Sequence, residues 1–279
     1  MWTASPRKAI MCELLAVSNS RETRLTFSLH TLALHGGDGS TTRDGWGVAF
    51  YQGSDVALFR EPAAAGASAL VRHLESNGPS TNLAISHIRH ATQGSIQLAN
   101  TQPFVRELGG RTHVFAHNGD LPGIYGAENL APGSYRPVGQ TDSEHAFCAL
   151  LSRLRVLWEA SDLPSLETRL AVLTSFAADL RALGPANFLY ADSDALFAHG
   201  NRRFHPASGR AEPPGLWCLR QDCPGTPGVE DVAGVSVGSE AQSVVFLASV
   251  PLSDAEWRPL ADGEMMVVRD GRVVLSRQP

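Results

Sequence analysis

Apolar residues along this chain fall into two patterns: short runs in which nearly every position is apolar, and longer stretches in which apolar positions recur every three or four residues. The first pattern predicts strands. CELLAVS (12–18) is one, DGWGVAFYQG and DVALFRE form a pair joined by a Gly-Ser turn, NLAISHIRHA enters a polar loop, and RTHVFAHNGDL continues the β pattern. Late in the chain ANFLYADSDALFAHG, GLWCLRQ, SVVFLASVPL and EMMVVRDGRVVLS repeat it, the last folding about Asp270-Gly271 as a hairpin.

The second pattern predicts helices. TRLTFSLHTLALHG (23–36) reads as a helix closed by Gly36, and SALVRHLESNG as a shorter one. Thr141-Asp142-Ser143-Glu144 fits a capping box, after which Phe147, Leu150, Leu151, Leu154, Leu157 and Trp158 share one helical face. SLETRLAVLTSFAADLRALG does the same with Leu166, Leu170, Leu173, Phe176, Ala177 and Leu180, and Gly184-Pro185 stops it. The Pro/Gly-rich stretches 202–215 and 221–234 read as surface loops. Strands flank a helical pair, with no internal repeat and no boundary in composition. The expected architecture is a single α+β domain over 12–279, with helices packed on antiparallel sheet.

With 43% hydrophobic residues, 18% charged residues and a net charge of -5, the chain lacks the basic footprint of a nucleic-acid binder. A small molecule is the expected partner. Four cysteines, Cys12, Cys148, Cys218 and Cys223, show neither disulfide density nor paired metal spacing. Arg7 and Lys8 are followed by no apolar signal region, and no run approaches the ~20 apolar residues that span a bilayer. A cytoplasmic protein, with neither membrane nor nucleic acid as partner, is expected.

Several motifs invite functional readings that their surroundings oppose. Gly234-Val235-Ser236-Val237-Gly238 has the form of a serine-hydrolase elbow, but that chemistry needs a later histidine and the last one here is His205, so Ser236 reads as a loop residue. His113 and His117 would pair on a metal from a helix, yet on a strand they stand ~13 Å apart. His87 and His90 point to opposite faces of theirs. HGGDGSTTRDGWG lacks the Gly-Lys-Ser/Thr of a phosphate loop. No metal or cofactor follows.

Four segments remain, each open to an ordinary structural reading. Arg89, at a strand end, can grip a carboxylate through two parallel hydrogen bonds or form a surface ion pair. Asn118 and Gly119 can stabilise an oxyanion, or make a tight hairpin turn. Asp142 can bind a substrate ammonium, or simply favour a helix N-terminus. Cys12 alone can be a small buried hydrophobe.

Taken in order, MCELL, RDGWGVAFY, SHIRHATQG, NTQPF, AHNGDL and QTDSE give the chain a resemblance to the class II glutamine amidotransferases, which are N-terminal nucleophile hydrolases. The blocks run from residue 11 to about 148. The resemblance implies a four-layer αββα sandwich of two antiparallel sheets. It implies Cys12 as nucleophile, Arg89 holding a glutamine α-carboxylate with Thr92 and Gln93 beside it, Asn118 and Gly119 as the oxyanion hole, and Asp142 binding the α-ammonium. One departure is His35-Gly36, where many synthase-linked members carry Arg-Gly.

In such an enzyme the α-amine of the nucleophile is the base, so Cys12 must be the first residue. As written, ten residues and Met11 precede it. Either translation starts at Met11, which is then trimmed, or residues 1–11 are a short propeptide; the internal start needs less machinery. Residues 1–11 are expected to lie loose or across the glutamine pocket. Three functions fit: a glutaminase that hands ammonia to a separate synthase subunit, a γ-glutamyl amide or peptide hydrolase acting alone, and a non-catalytic glutamine-binding module.

Overall fold

Strand β1 (Glu13–Arg24) shows, in the computed structural model, why the first apolar run is unbroken. Leu14 and Ala16 enter one apolar cluster, while Leu15 and Val17 enter another on the opposite face. A strand buried on both faces has no polar side to alternate with. The structure describes residues 12–24, 26–27, 44–91, 93–205, 208–224, 230–232, 235–237 and 241–278. The leader 1–11 and the His35-Gly36 departure lie outside them.

The strand lies in a seven-stranded sheet ordered β16 (Arg258–Pro259), β12 (Trp217–Cys223), β15 (Gln242–Ala248), β1, β5 (Ser80–Arg89), β3 (Gly45–Gln52) and β4 (Asp55–Glu61). A second, six-stranded sheet runs β18 (Arg272–Arg277), β17 (Met265–Arg269), β9 (Leu196–His199), β8 (Ala186–Ala191), β7 (Arg111–Gly119) and β6 (Phe104–Leu108). Neighbouring strands in both are antiparallel.

Three apolar clusters separate four layers. Leu14, Ala16 and Ile85 of the first sheet meet Val114, Ala116 and Leu189 of the second. On the outer side of the first sheet, Val71 and Leu74 of α1 (Ala69–Asn77) join Trp46, Val48 and Phe50. On the outer side of the second, α2 (Asp142–Ala160) and α3 (Leu166–Leu183) place Phe147, Leu150, Leu154 and Phe176 against Phe115 and Phe188. The expected faces of both long helices are therefore the buried ones. The fold is the αββα sandwich of two antiparallel sheets flanked by helices. No described helix is long and apolar enough to cross a membrane.

The Asp270-Gly271 hairpin forms as expected: Arg269 pairs with Arg272, and both turn residues have positive φ, 48° and 68°. Such a turn matches the twist of the flanking strands. Three sequence expectations need correction. The helix expected over 23–36 fails at its start, because β1 continues through Arg24 opposite Ser80, and Thr26–Phe27 form a short strand, β2. Pairing with β5 offers the backbone partners that an isolated helical turn would have to supply itself. The rest of that segment, apart from Thr26 and Phe27, is outside the described residues.

Both stretches expected as surface loops carry strands: within 202–215, β10 (Arg203–His205) and β11 (Arg210–Glu212) form a hairpin, and 221–234 holds the end of β12 and the short strand Glu230–Val232. Ser236 stands in a three-residue strand, β14 (Val235–Val237), opposite Thr26 of β2 and Asp231 of β13 (Glu230–Val232), instead of in a loop.

Candidate active site

Register brings the ends of three strands together. Glu13 pairs with Ile88 and Gly45 with Arg89, so Cys12, one residue ahead of β1, stands beside the end of β5. Its half-buried sulfur accepts a hydrogen bond from His90 N at 3.2 Å and lies 3.3 Å from His90 O. Burial pushes the thiol up to about 11; the His90 contact and Arg89 pull it down, while Glu13 and Asp142 push it further up. Arg89 and Asp142, from different layers, thus act electrostatically on one sulfur.

Asn118 and Gly119 are the last residues of β7, opposite Asn187 and Ala186 of the adjacent strand, and do not form a hairpin turn. The Asn118 side chain donates from Nδ2 to the Cys12 carbonyl oxygen at 2.6 Å. Its own carbonyl accepts from Asn187 Nδ2 at 3.2 Å, which fixes the strand end from behind. At Gly119 a Cβ atom would overlap the Pro185 carbonyl oxygen, so this close approach admits only glycine.

Arg89 is buried, and its guanidinium donates to three loop carbonyls: Gln93 at 2.8 Å, Gly94 at 3.2 Å and Ser95 at 3.3 Å. The cation organises the loop that follows it. Gln93 crosses to the other strand end, donating from Nε2 to Asp120 Oδ1 at 2.6 Å. Thr92 lies outside the described residues.

Asp142 is the first residue of α2. Its Oδ2 accepts from Leu121 N at 2.9 Å, and its Oδ1 accepts from Ser143 N at 2.7 Å. A carboxylate has about four lone-pair sites, so these contacts orient it and leave acceptor capacity for a cation. The capping box forms by half. Thr141 accepts from Glu144 N at 3.2 Å, but Glu144 turns to the amides of Val138 at 3.0 Å and Gly139 at 2.6 Å.

Sequence reasoning missed the groups that hold these residues. Asp44, inside RDGWG, accepts from Ala91 N at 2.7 Å, while its own amide donates to Arg89 O at 3.1 Å; its charge also favours the Arg89 cation. On β1, buried Glu13 pairs with Arg203 of the 203–212 hairpin at 3.0 Å, and Arg203 also donates to Ser249 O at 2.5 Å. Ser249 Oγ in turn accepts from Leu14 N at 3.0 Å. The start of β1 is anchored at both ends of that triad. Asp44 sat in a quoted motif, but nothing local marked Arg203.

Two of the histidines set aside as metal ligands, His113 and His117, have structural partners. His113 Nδ1 lies 2.6 Å from Tyr190 Oη, and His117 Nδ1 lies 2.9 Å from Ser143 Oγ. Among the described residues no group of three or more His, Cys, Asp or Glu side chains is arranged to hold a metal ion.

Comparison with known proteins converges on one family. Residues 11–279 match the family described as glutamine amidotransferases class-II. The chain is 32% identical over 255 residues to the protein YafJ of Escherichia coli (strain K12), covering 91% of this chain and 96% of that one. A crystal structure from Pseudomonas aeruginosa, described as a predicted glutamine amidotransferase, superposes with a TM-score of 0.67 at 33% identity, covering 95% of this chain and all of that one (100%). Glutamine phosphoribosylpyrophosphate amidotransferase from Bacillus subtilis superposes with a TM-score of 0.59 over 96% of this chain and 49% of that enzyme. At 17% identity the likeness is one of fold.

Proposed function

The chain belongs to the class II glutamine amidotransferases, and from that premise we propose that it hydrolyses the side-chain amide of glutamine, or of another γ-glutamyl compound, through a thioester on Cys12. The observation that carries this reading is the meeting of four groups at one residue, three of them acting on its sulfur and one on its carbonyl. Asn118 donates to the Cys12 carbonyl, the His90 amide donates to the thiol, and Arg89 and Asp142 bring opposite charges within electrostatic reach.

A half-buried thiol held above its ordinary pKa carries little thiolate at neutral pH and needs a base. An α-amine of ordinary pKa, about 7.7–8.0, on the same residue supplies one, provided Cys12 is the first residue of the mature protein. The sulfur attacks the amide carbon and its proton passes to the amine. Negative charge on the carbonyl oxygen is met by the Asn118 side chain and the Gly119 amide. The C–N bond then breaks, the leaving nitrogen takes the proton back, and water cleaves the thioester to release a γ-carboxylate.

Arg89 and Asp142 complement the α-carboxylate and α-ammonium of the substrate, which sets its γ-carbonyl over the sulfur. A free glutamate end is the shared requirement, so glutamine and γ-glutamyl amides are both substrates in kind. Where glutamine is the substrate, the ammonia serves a separate synthase subunit.

The test compares ammonia release from glutamine with amine release from a panel of γ-glutamyl amides. Turnover of at least one, abolished when its α-amino group is acetylated, is expected. Binding of glutamine with no turnover and no thioester in acid-quenched protein would leave only a binding module.

A further inference from the structure

The two arms assigned to the substrate's charged ends come from distant parts of the chain. Arg89 ends a strand and grips the loop carbonyls of 93–95, whereas Asp142 opens a helix in another layer. Something must set the distance between them. Asn100 is fully buried and bonds to the segment beside each of them. Its Nδ2 donates to Ser95 O at 2.9 Å, and its Oδ1 accepts from Gln140 N at 2.8 Å. Ser95 is one of the carbonyls that Arg89 holds, and Gln140 lies two residues before Asp142.

Two glycines close on the same amide. A Cβ atom at Gly94 would stand 2.7 Å from Asn100 Nδ2, and one at Gly139 would overlap Asn100 Oδ1. Both backbones therefore press flat against the side chain. A primary amide suits the place because it offers a donor to one side and an acceptor to the other, at a fixed spacing. Aspartate has the same shape but would turn an oxygen toward the Ser95 carbonyl. Neither contact involves Cys12 or Asn118.

We propose that Asn100 is a positioning residue that holds the Arg89 loop and the start of α2 at the separation an α-amino acid requires. The inference rests on the reading of Arg89 and Asp142 given above. It makes substrate affinity, and not the reactivity of the sulfur, the property that Asn100 controls.

The experiment uses two reagents on mature protein whose first residue is verified as Cys12. The electrophilic glutamine analogue 6-diazo-5-oxo-L-norleucine needs both charged arms to reach the sulfur, whereas iodoacetamide needs neither. Adducts at Cys12 are mapped by mass spectrometry. For Asn100→Asp and Asn100→Ala, the half-saturation for the analogue rises roughly 10- to 100-fold, the range of a misplaced binding group. The rate with iodoacetamide stays near that of the unaltered protein. Asn100→Ser, whose shorter side chain cannot span from the Ser95 carbonyl to the Gln140 amide, gives the same split and serves if the other two variants do not fold.

Unchanged half-saturation in the folded variants overturns the proposal, and so does an equal loss with both reagents, which would mark a general structural role. If unaltered protein takes iodoacetamide at Cys12 but never the glutamine analogue, the functional reading itself falls, and the role of Asn100 with it.

Discussion

Cys12 and Asn118 are brought together by strand ends whose neighbours are set by ladder register, whereas the Arg89 guanidinium, beyond a backbone that also pairs in the ladder, and the Asp142 carboxylate are aimed by bonds to loop and helix-end backbone. On the first side, Glu13 opposite Ile88 and Asn118 opposite Asn187 fix the geometry. A slip of one residue there would exchange the side chains that whole strands pack into the two cores on either side of them. On the second side, Arg89 holds three loop carbonyls and Asp142 is oriented by the Leu121 and Ser143 amides. A single side-chain change can loosen that side while the sheets stay intact. In the proposed mechanism the chemistry thus sits on the rigid part and substrate selection on the adjustable part.

If that division holds, substitutions on the two sides fail differently. Cys12→Ser is expected to have the largest effect, lowering kcat by roughly 10⁴-fold or more while the thermal midpoint stays in place, since it removes the nucleophile and little volume. A freshly purified Cys12→Ser protein with near-normal turnover would take Cys12 out of the mechanism. Asn118→Ala follows, with a loss of roughly 10²–10³ in kcat and a smaller change in KM, as for one oxyanion donor. Should it lower only stability, the residue is structural.

Arg89→Ala should instead raise KM by roughly 10- to 100-fold, because a carboxylate contact and the 93–95 loop are lost together, with kcat less affected. Arg89→Lys is expected to recover little of this: one ammonium cannot serve three carbonyls and a carboxylate in the guanidinium's planar geometry. Full rescue by lysine would mean that charge alone suffices. The smallest effect is expected from Thr141→Ala, which removes the cap of α2 at a cost of about 1 kcal/mol, read from the denaturant midpoint. Its KM should rise slightly and its kcat stay constant.

Much of this was legible from the residues. The two long helices kept the faces their periodicity predicts, and the apolar runs of the central strands, such as β1, β5 and β8, became strands buried on both sides. The Asn-Gly pair was ambiguous because a hairpin turn and a strand end use the same two residues. Only pairing with Asn187 and Ala186, nearly 70 positions away, decides for the strand. TRLTF failed as the start of a helix for a like reason, since its partners at Ser80, Thr81 and Val235 are invisible locally. Arg203 sat in a stretch rich in proline and glycine, and its partner Glu13 is 190 residues away. Residues that do chemistry cluster in short motifs, but those that hold them in place are scattered, because any part of the chain that folds nearby can supply a hydrogen bond.

In the proposed mechanism a free Cys12 amine and its thiol act together. The most direct measurement is intact-mass and peptide mapping of active protein expressed from its native gene, before and after treatment with 6-diazo-5-oxo-L-norleucine. The expected chain begins at Cys12, carries one analogue adduct on that residue, and loses activity in step with labelling. Active protein that retains residues 1–11, or that stays active with Cys12 fully labelled, would contradict it.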